Sequence, residues 1–200
     1  MVSNRTRILT LIVMPVLLFL TACGVNSIPT AEENAKAKWA DVQAAYQRRL
    51  DSLPALAQTV TAAAGHETNL QVGVAQARTA ANAAQVNPNQ LTDPAAVQRF
   101  ADAQQAVSNL IIRVTQEMPP ENRANENYRT LMDQIEGANN RITVAIRDYN
   151  QAVQDYNTRI RTFPDAVGAK IFYGAKPMQP FEAVTSGADV APKADFGSQG

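Results

Sequence analysis

Tyr149-Asn150 and Tyr156-Asn157 repeat at a spacing of seven residues, each pair preceded by an aspartate, Asp148 and Asp155. On a helix seven residues are two turns, so the two phenols share one face, and so do the amides and the carboxylates. Phenols and carboxamides side by side can hydrogen-bond a small ligand, and paired carboxylates can do acid–base work in a sheltered cleft. A structural expectation competes with this. Tyr149 and Tyr156 lie in register with apolar residues, which predicts rings filling a helix seam and hydroxyls reaching its polar edge. Asn150 and Asn157 sit one position off that seam, which predicts that folding tolerates their loss. Asp148 and Asp155 are expected to be solvated and paired at helical spacing with Arg141, Arg147 or Arg159. Asp148, Asn150, Asp155, Asn157 and Arg141 together form a candidate interaction surface.

Other chemistry is sparse. His66-Glu67 invites a metal reading, but a zincin helix needs His-Glu-x-x-His and position 70 is leucine. His66 is the single histidine and Cys23 the single cysteine, so neither a histidine-rich nor a thiolate metal site is expected within one chain. No Gly-x-Ser-x-Gly elbow and no glycine-rich phosphate loop occurs. The expectation is therefore a protein without catalytic residues, metal or cofactor.

Cys23 carries the most specific signal. Arg5 and Arg7 precede an apolar run from Ile8 to Leu20, interrupted by Thr10 and containing Pro15. Its 13 residues fall short of the ~17–25 that span a bilayer, and the flanks fit a signal peptide over 1–22. The run ends in Leu20-Thr21-Ala22-Cys23, which resembles a bacterial lipobox. That motif implies diacylglycerol on the Cys23 thiol, cleavage before it, and a further acyl chain such as palmitate on the new amino group. Gly24 stands where a residue other than aspartate implies the outer membrane, facing the periplasm, in diderm bacteria. The expected address is a membrane-attached, extracytoplasmic lipoprotein.

The elements that must position these residues are helical. Hydrophobic residues make up 46% of the 200, but aromatics only 6%, a balance that suits closely packed Ala-rich helices. Removing Arg5 and Arg7 with the first 22 residues leaves 16 basic against 18 acidic side chains, so nucleic acid is not an expected partner. From about Ala31, apolar or small residues recur by alternating steps of three and four: Trp39, Val42, Tyr46, Leu53, Leu56, Val60, Ala63, Leu70, Val74, Ala77, Ala81 and Ala84. Arg49 and Glu67 break this stripe. Its register is the same on both sides of Pro54, which predicts one long helix kinked there. A second segment opens at Asp93-Pro94, with Val97, Phe100, Val107, Leu110, Ile111 and Val114 as its stripe, and stops at Pro119-Pro120. In the third, Tyr128, Ile135, Ile142, Tyr149, Tyr156 and Phe163 are spaced by seven, a coiled-coil-like seam. Asp165 begins a short fourth helix, and 165–173 is the one stretch with an amphipathic apolar face outside the seam.

Asn139-Asn140-Arg141-Ile142, the doubled Asp-Tyr-Asn run and Phe163-Pro164 resemble the LemA family. Arg48 to Pro54, Gly65-His66-Glu67 and Pro180-Phe181-Glu182 resemble further family patches. The resemblance covers roughly 30–182. It implies a membrane-attached extracytoplasmic helical bundle of undefined biochemical role. Two positions depart from the pattern: Ala55 stands where the family often has asparagine, and Asn139 where it often has glutamate. Family members also commonly keep an N-terminal membrane helix where this chain has a lipobox.

The expected fold is all-α, an elongated antiparallel up-and-down bundle of three long helices plus a short fourth. The expected organisation is signal peptide 1–22, lipid-anchored linker 23–30, LemA-like bundle 31–173, and a largely disordered tail 174–200. The expected function is a non-catalytic interaction or scaffold protein of the bacterial cell envelope, with the membrane and other envelope proteins as partners. The alternative is a small-ligand-binding protein or hydrolase using the Tyr/Asn face of the third segment.

Overall fold

The computed structural model describes residues 26–64 and 69–182. The signal segment, Cys23, Gly65-His66-Glu67 and 183–200 lie outside the described residues. Among those described the fold is all-α, without strands: α1 (Ser27–Ala64), α2 (Leu70–Ala83), α3 (Pro94–Gln116), α4 (Glu126–Arg159) and α5 (Asp165–Gly168), which runs on into one π-helical stretch at Ala169–Tyr173. Short 3-10 turns occupy Pro88–Gln90 and Pro120–Asn122. Helix α3 begins on Pro94, whose fixed φ suits the first helical position. Helix α4 is started by Asn125, whose side-chain oxygen accepts from the N–H groups of Asn127 (2.9 Å) and Tyr128 (3.3 Å).

The chain packs as two compact units, and α1 and α4 each supply residues to both. One unit takes 43–86 and 95–143. It is a four-helix bundle, and its side-chain contacts fix the directions. Asp51 meets Arg78 at 3.6 Å and the Gln43 amide reaches the Val86 carbonyl, so α2 returns antiparallel to α1. Tyr46 stacks edge-on against Phe100 and Arg49 meets Ser108, so α3 runs with α1. The Asn122 amide caps the Ala63 carbonyl and Asn139 meets Arg49, so α4 runs back. Leu50, Leu53, Leu56, Val60, Val74, Val107, Leu110, Val114 and Ile135 form the core.

This corrects the single kinked first helix. Pro54 does lie inside a continuous helix, with its ring exposed, but the chain reverses between Ala64 and Leu70. The stripe kept its register across the reversal because both helices face the same core, so each repeats the same spacing. Four long helices stand where three were expected. Helix α1 also starts at Ser27, inside the stretch expected to be linker.

The other unit takes 26–42, 87–94 and 144–181. Here Trp39 is fully buried, with Tyr149 at 5.0 Å and Phe181 at 5.5 Å between ring centroids. Ile28, Ala35, Val42, Leu91, Ile146, Val153, Tyr156, Ala169 and Met178 complete the core. Two expectations fail in this unit. Phe163 continues the spacing of seven but is 83% exposed, because α4 ends at Arg159 and the chain turns before Pro164. Residues 174–181 are not a disordered tail: Met178 and Phe181 are buried core residues.

Candidate functional site

Gly174 sits at φ +54°, the left-handed region that closes a helical end and that a β-carbon disfavours. Beyond it, residues 175–181 run extended against the Tyr/Asn face of α4. The sequence Lys176-Pro177-Met178-Gln179-Pro180-Phe181 could not satisfy its own backbone there, so α4 and the 87–94 connection supply the partners. The Tyr156 hydroxyl donates to the Lys176 carbonyl at 3.1 Å, and the Tyr149 hydroxyl to the Gln179 carbonyl at 2.8 Å. Each asparagine then pairs twice with one residue. Asn157 Nδ2 donates to the Met178 carbonyl and its Oδ1 accepts the Met178 N–H, both at 2.9 Å. Asn150 does the same with Phe181, both at 2.8 Å. The Gln179 N–H donates to the Leu91 carbonyl at 2.9 Å. Pro177 and Pro180 carry no N–H and need no acceptor.

The doubled Tyr-Asn motif is thus a two-toothed clasp. One tooth, Tyr156 with Asn157, holds 176 and 178; the other, Tyr149 with Asn150, holds 179 and 181. Burial pushes both phenols above the ordinary tyrosine range; for Tyr156 the Glu32 charge adds to this and Lys36 opposes it. Both hydroxyls therefore stay protonated as donors to carbonyls.

The sequence-derived surface residues separate accordingly. Asn150 and Asn157 are half-buried and committed to the clasp. Against the expectation that folding tolerates their loss, each amide is the partner of a backbone donor and acceptor. Asp155 is exposed and accepts from Gln151 at 3.2 Å. Asp148 is partly exposed beside Arg147 at 3.4 Å. Arg141 is exposed. An open groove of about 310 Å³ runs beside the clasp, lined by Asn150, Gln154, Asn157 and Arg161 among others.

A second polar cluster lies where the stripe was broken. Arg49 is 6% exposed inside the four-helix core. Its Nη1 donates to Ser108 Oγ (3.2 Å) and Asn139 Oδ1 (3.4 Å), and its Nη2 to the carbonyl and Oε1 of Gln104 (3.3 Å each). The guanidinium lies 5.0 Å from the Tyr46 ring centroid. These four acceptors are all neutral. Burial lowers the guanidinium pKa, and burial raises the Tyr46 hydroxyl to about 12 against the opposing pull of the Arg49 charge. Of the three residues that supply these acceptors only Asn139 is exposed, and a carboxylate there would balance the cation.

The sequence missed both arrangements. The Pro180-Phe181-Glu182 resemblance was the available signal that the chain after 173 belongs to the fold. Arg49 was visible as an exception in a stripe, but its partners come from two other helices. Residues 38–196 match the LemA family profile. No curated protein gives a significant match.

Proposed function

The chain belongs to the LemA family, membrane-associated envelope proteins of undefined role, and from that premise we propose a lipoprotein scaffold. In this reading the chain is exported, acylated on Cys23 and held outside the cytoplasm, on the periplasmic face of the outer membrane in a diderm host. It works by presenting helix surfaces to other envelope proteins and catalyses nothing. Arg141, Asp148 and Asp155 are the residues of the original surface that keep side chains toward solvent.

The observation that carries the reading is the clasp. A ligand-binding or hydrolytic site on the Tyr/Asn face would need free phenols and amides. Here all four groups hold backbone of the same chain. Displacing them would strand buried donors and acceptors, a cost of ~1–3 kcal/mol each.

Photocrosslinking amino acids placed at Arg141, Asp148 and Asp155 in intact cells test this. The expected result is discrete crosslinked protein species that differ by position. Absence of protein crosslinks from all three positions, with a small molecule copurifying with the chain, would overturn it in favour of ligand binding.

A further inference from the structure

Most of the large apolar side chains left exposed among the described residues gather on one short stretch. Phe163 is 83% exposed, Ile171 and Phe172 are 70% each, Val167 48% and Tyr173 42%. Val167 and Ile171 are spaced by four, so they lie on one side of the helical run 165–173, and Phe163 stands in the turn just before it. Single exposed apolar residues are ordinary, but a contiguous set marks a surface that something else covers.

The stretch that carries this patch is cationic. Residues 159–176 contain Arg159, Arg161, Lys170 and Lys176 against one acid, Asp165. Asp165 is turned inward: its side chain is 16% exposed, accepts from Ser27 Oγ at 2.6 Å and lies 3.8 Å from Arg159. Arg161, Lys170 and Lys176 are exposed. A short stretch of exposed apolar side chains that also carries exposed lysine and arginine matches the boundary between hydrocarbon and anionic head groups.

The patch also lies where the chain would meet a membrane. The Ser27–Asp165 bond ties it to the first residue of α1, and Ile28 Cδ1 would lie 3.8 Å from a β-carbon at Gly168. Cys23 is four residues before Ser27 in sequence, at most about 14 Å of extended chain. We propose that Phe163, Val167, Ile171, Phe172 and Tyr173 insert into the lipid surface that holds Cys23, as a second contact orienting the helices on the membrane. This rests on the lipoprotein reading for the presence of that membrane. A lipid chain tethers without fixing direction; a second contact beside the tether fixes it.

The test uses the full chain in vesicles of phosphatidylethanolamine and phosphatidylglycerol with brominated acyl chains. An environment-sensitive fluorophore is placed on Ile171→Cys, and in a control chain on Val144→Cys. Val144 is 47% exposed on α4, about 22 Å of helix from Arg159. Both substitutions are at exposed sites, so neither disturbs the core. The mass of the N-terminal peptide is read from the same sample. An acylated Cys23 has no free thiol; if it proves unmodified, the pair is repeated in Cys23→Ser joined at its N-terminus to a synthetic lipid. Failure of acylation and failure of insertion are thus read separately. The expected result is blue-shifted emission at 171, quenched several-fold more by bromine than at 144, and weakened by Lys170→Glu with Lys176→Glu. Equal quenching at 171 and 144 overturns the proposal. So does a blue shift at 171 without bromine quenching, which means that protein, not lipid, covers the patch.

Discussion

Asn157→Ala would leave the Met178 N–H and carbonyl without partners at a residue that is 4% exposed. Stranding buried polar groups costs ~1–3 kcal/mol. Tyr156→Phe loses one hydroxyl bond, about 1 kcal/mol, while Tyr156→Ala also empties core volume, ~3–5 kcal/mol. Urea denaturation should therefore rank Tyr156→Ala above Asn157→Ala, and Asn157→Ala above Tyr156→Phe; a neutral Asn157→Ala would mean that the clasp does not form. The tyrosine rings were legible from the spacing of seven because packing periodicity is a local property. The amides were not, since their partners lie 21 and 31 residues downstream and leave no periodic trace. Asn139 makes the same point from the other unit. It is exposed at one end of a buried cation's contacts, so a glutamate there pays little desolvation and gains a charge-assisted bond to Arg49. Asn139→Glu should stabilise by about 1–2 kcal/mol. The gain should vanish in an Arg49→Met background, and its persistence there would remove Arg49 from the explanation.

At the scale of elements, helix faces were easier to read than helix ends. The stripes placed Trp39, Leu53, Phe100, Leu110, Ile135 and Tyr149 in cores, and all are buried. The reversal between Ala64 and Leu70 was hidden because antiparallel neighbours around one core share a spacing. The extended run 175–181 has no periodicity of its own, so the sequence pattern marks no element there: prolines replace the N–H groups that α4 does not accept. Gly174 sets the direction of that run. A β-carbon in the left-handed region costs ~1–2 kcal/mol, and no heavy atom lies within 4 Å of the added carbon, so sterics from neighbours add nothing. Gly174→Ala should lower stability by that amount without changing helix content. A thermal melt followed at 222 nm checks both; an unchanged midpoint would mean that the left-handed turn does not form.

For the whole molecule, stability should depend on pH at the alkaline end. Tyr46 is pushed up to about 12 by burial, and burial raises Tyr149 and Tyr156 as well. A folded-state pKa above the unfolded value means that the native chain holds its protons longer. That contribution is full below the ordinary tyrosine value of ~10 and is lost as pH rises through the raised values. Chemical denaturation should show stability level to pH 9.5 and falling from 10 toward 12, with a shallower fall in Tyr46→Phe. An equal slope in that variant would show that Tyr46 does not contribute. The address proposed for the molecule rests on one residue outside the described structure. Leu20-Thr21-Ala22-Cys23 carries both the lipoprotein reading and the membrane that the apolar patch would meet. Intact mass spectrometry of the protein purified from the membrane fraction tests this most directly. The account predicts a chain that begins at Cys23 and carries diacylglycerol on its thiol. A chain that retains Met1, or begins at Cys23 with a free thiol, would contradict it.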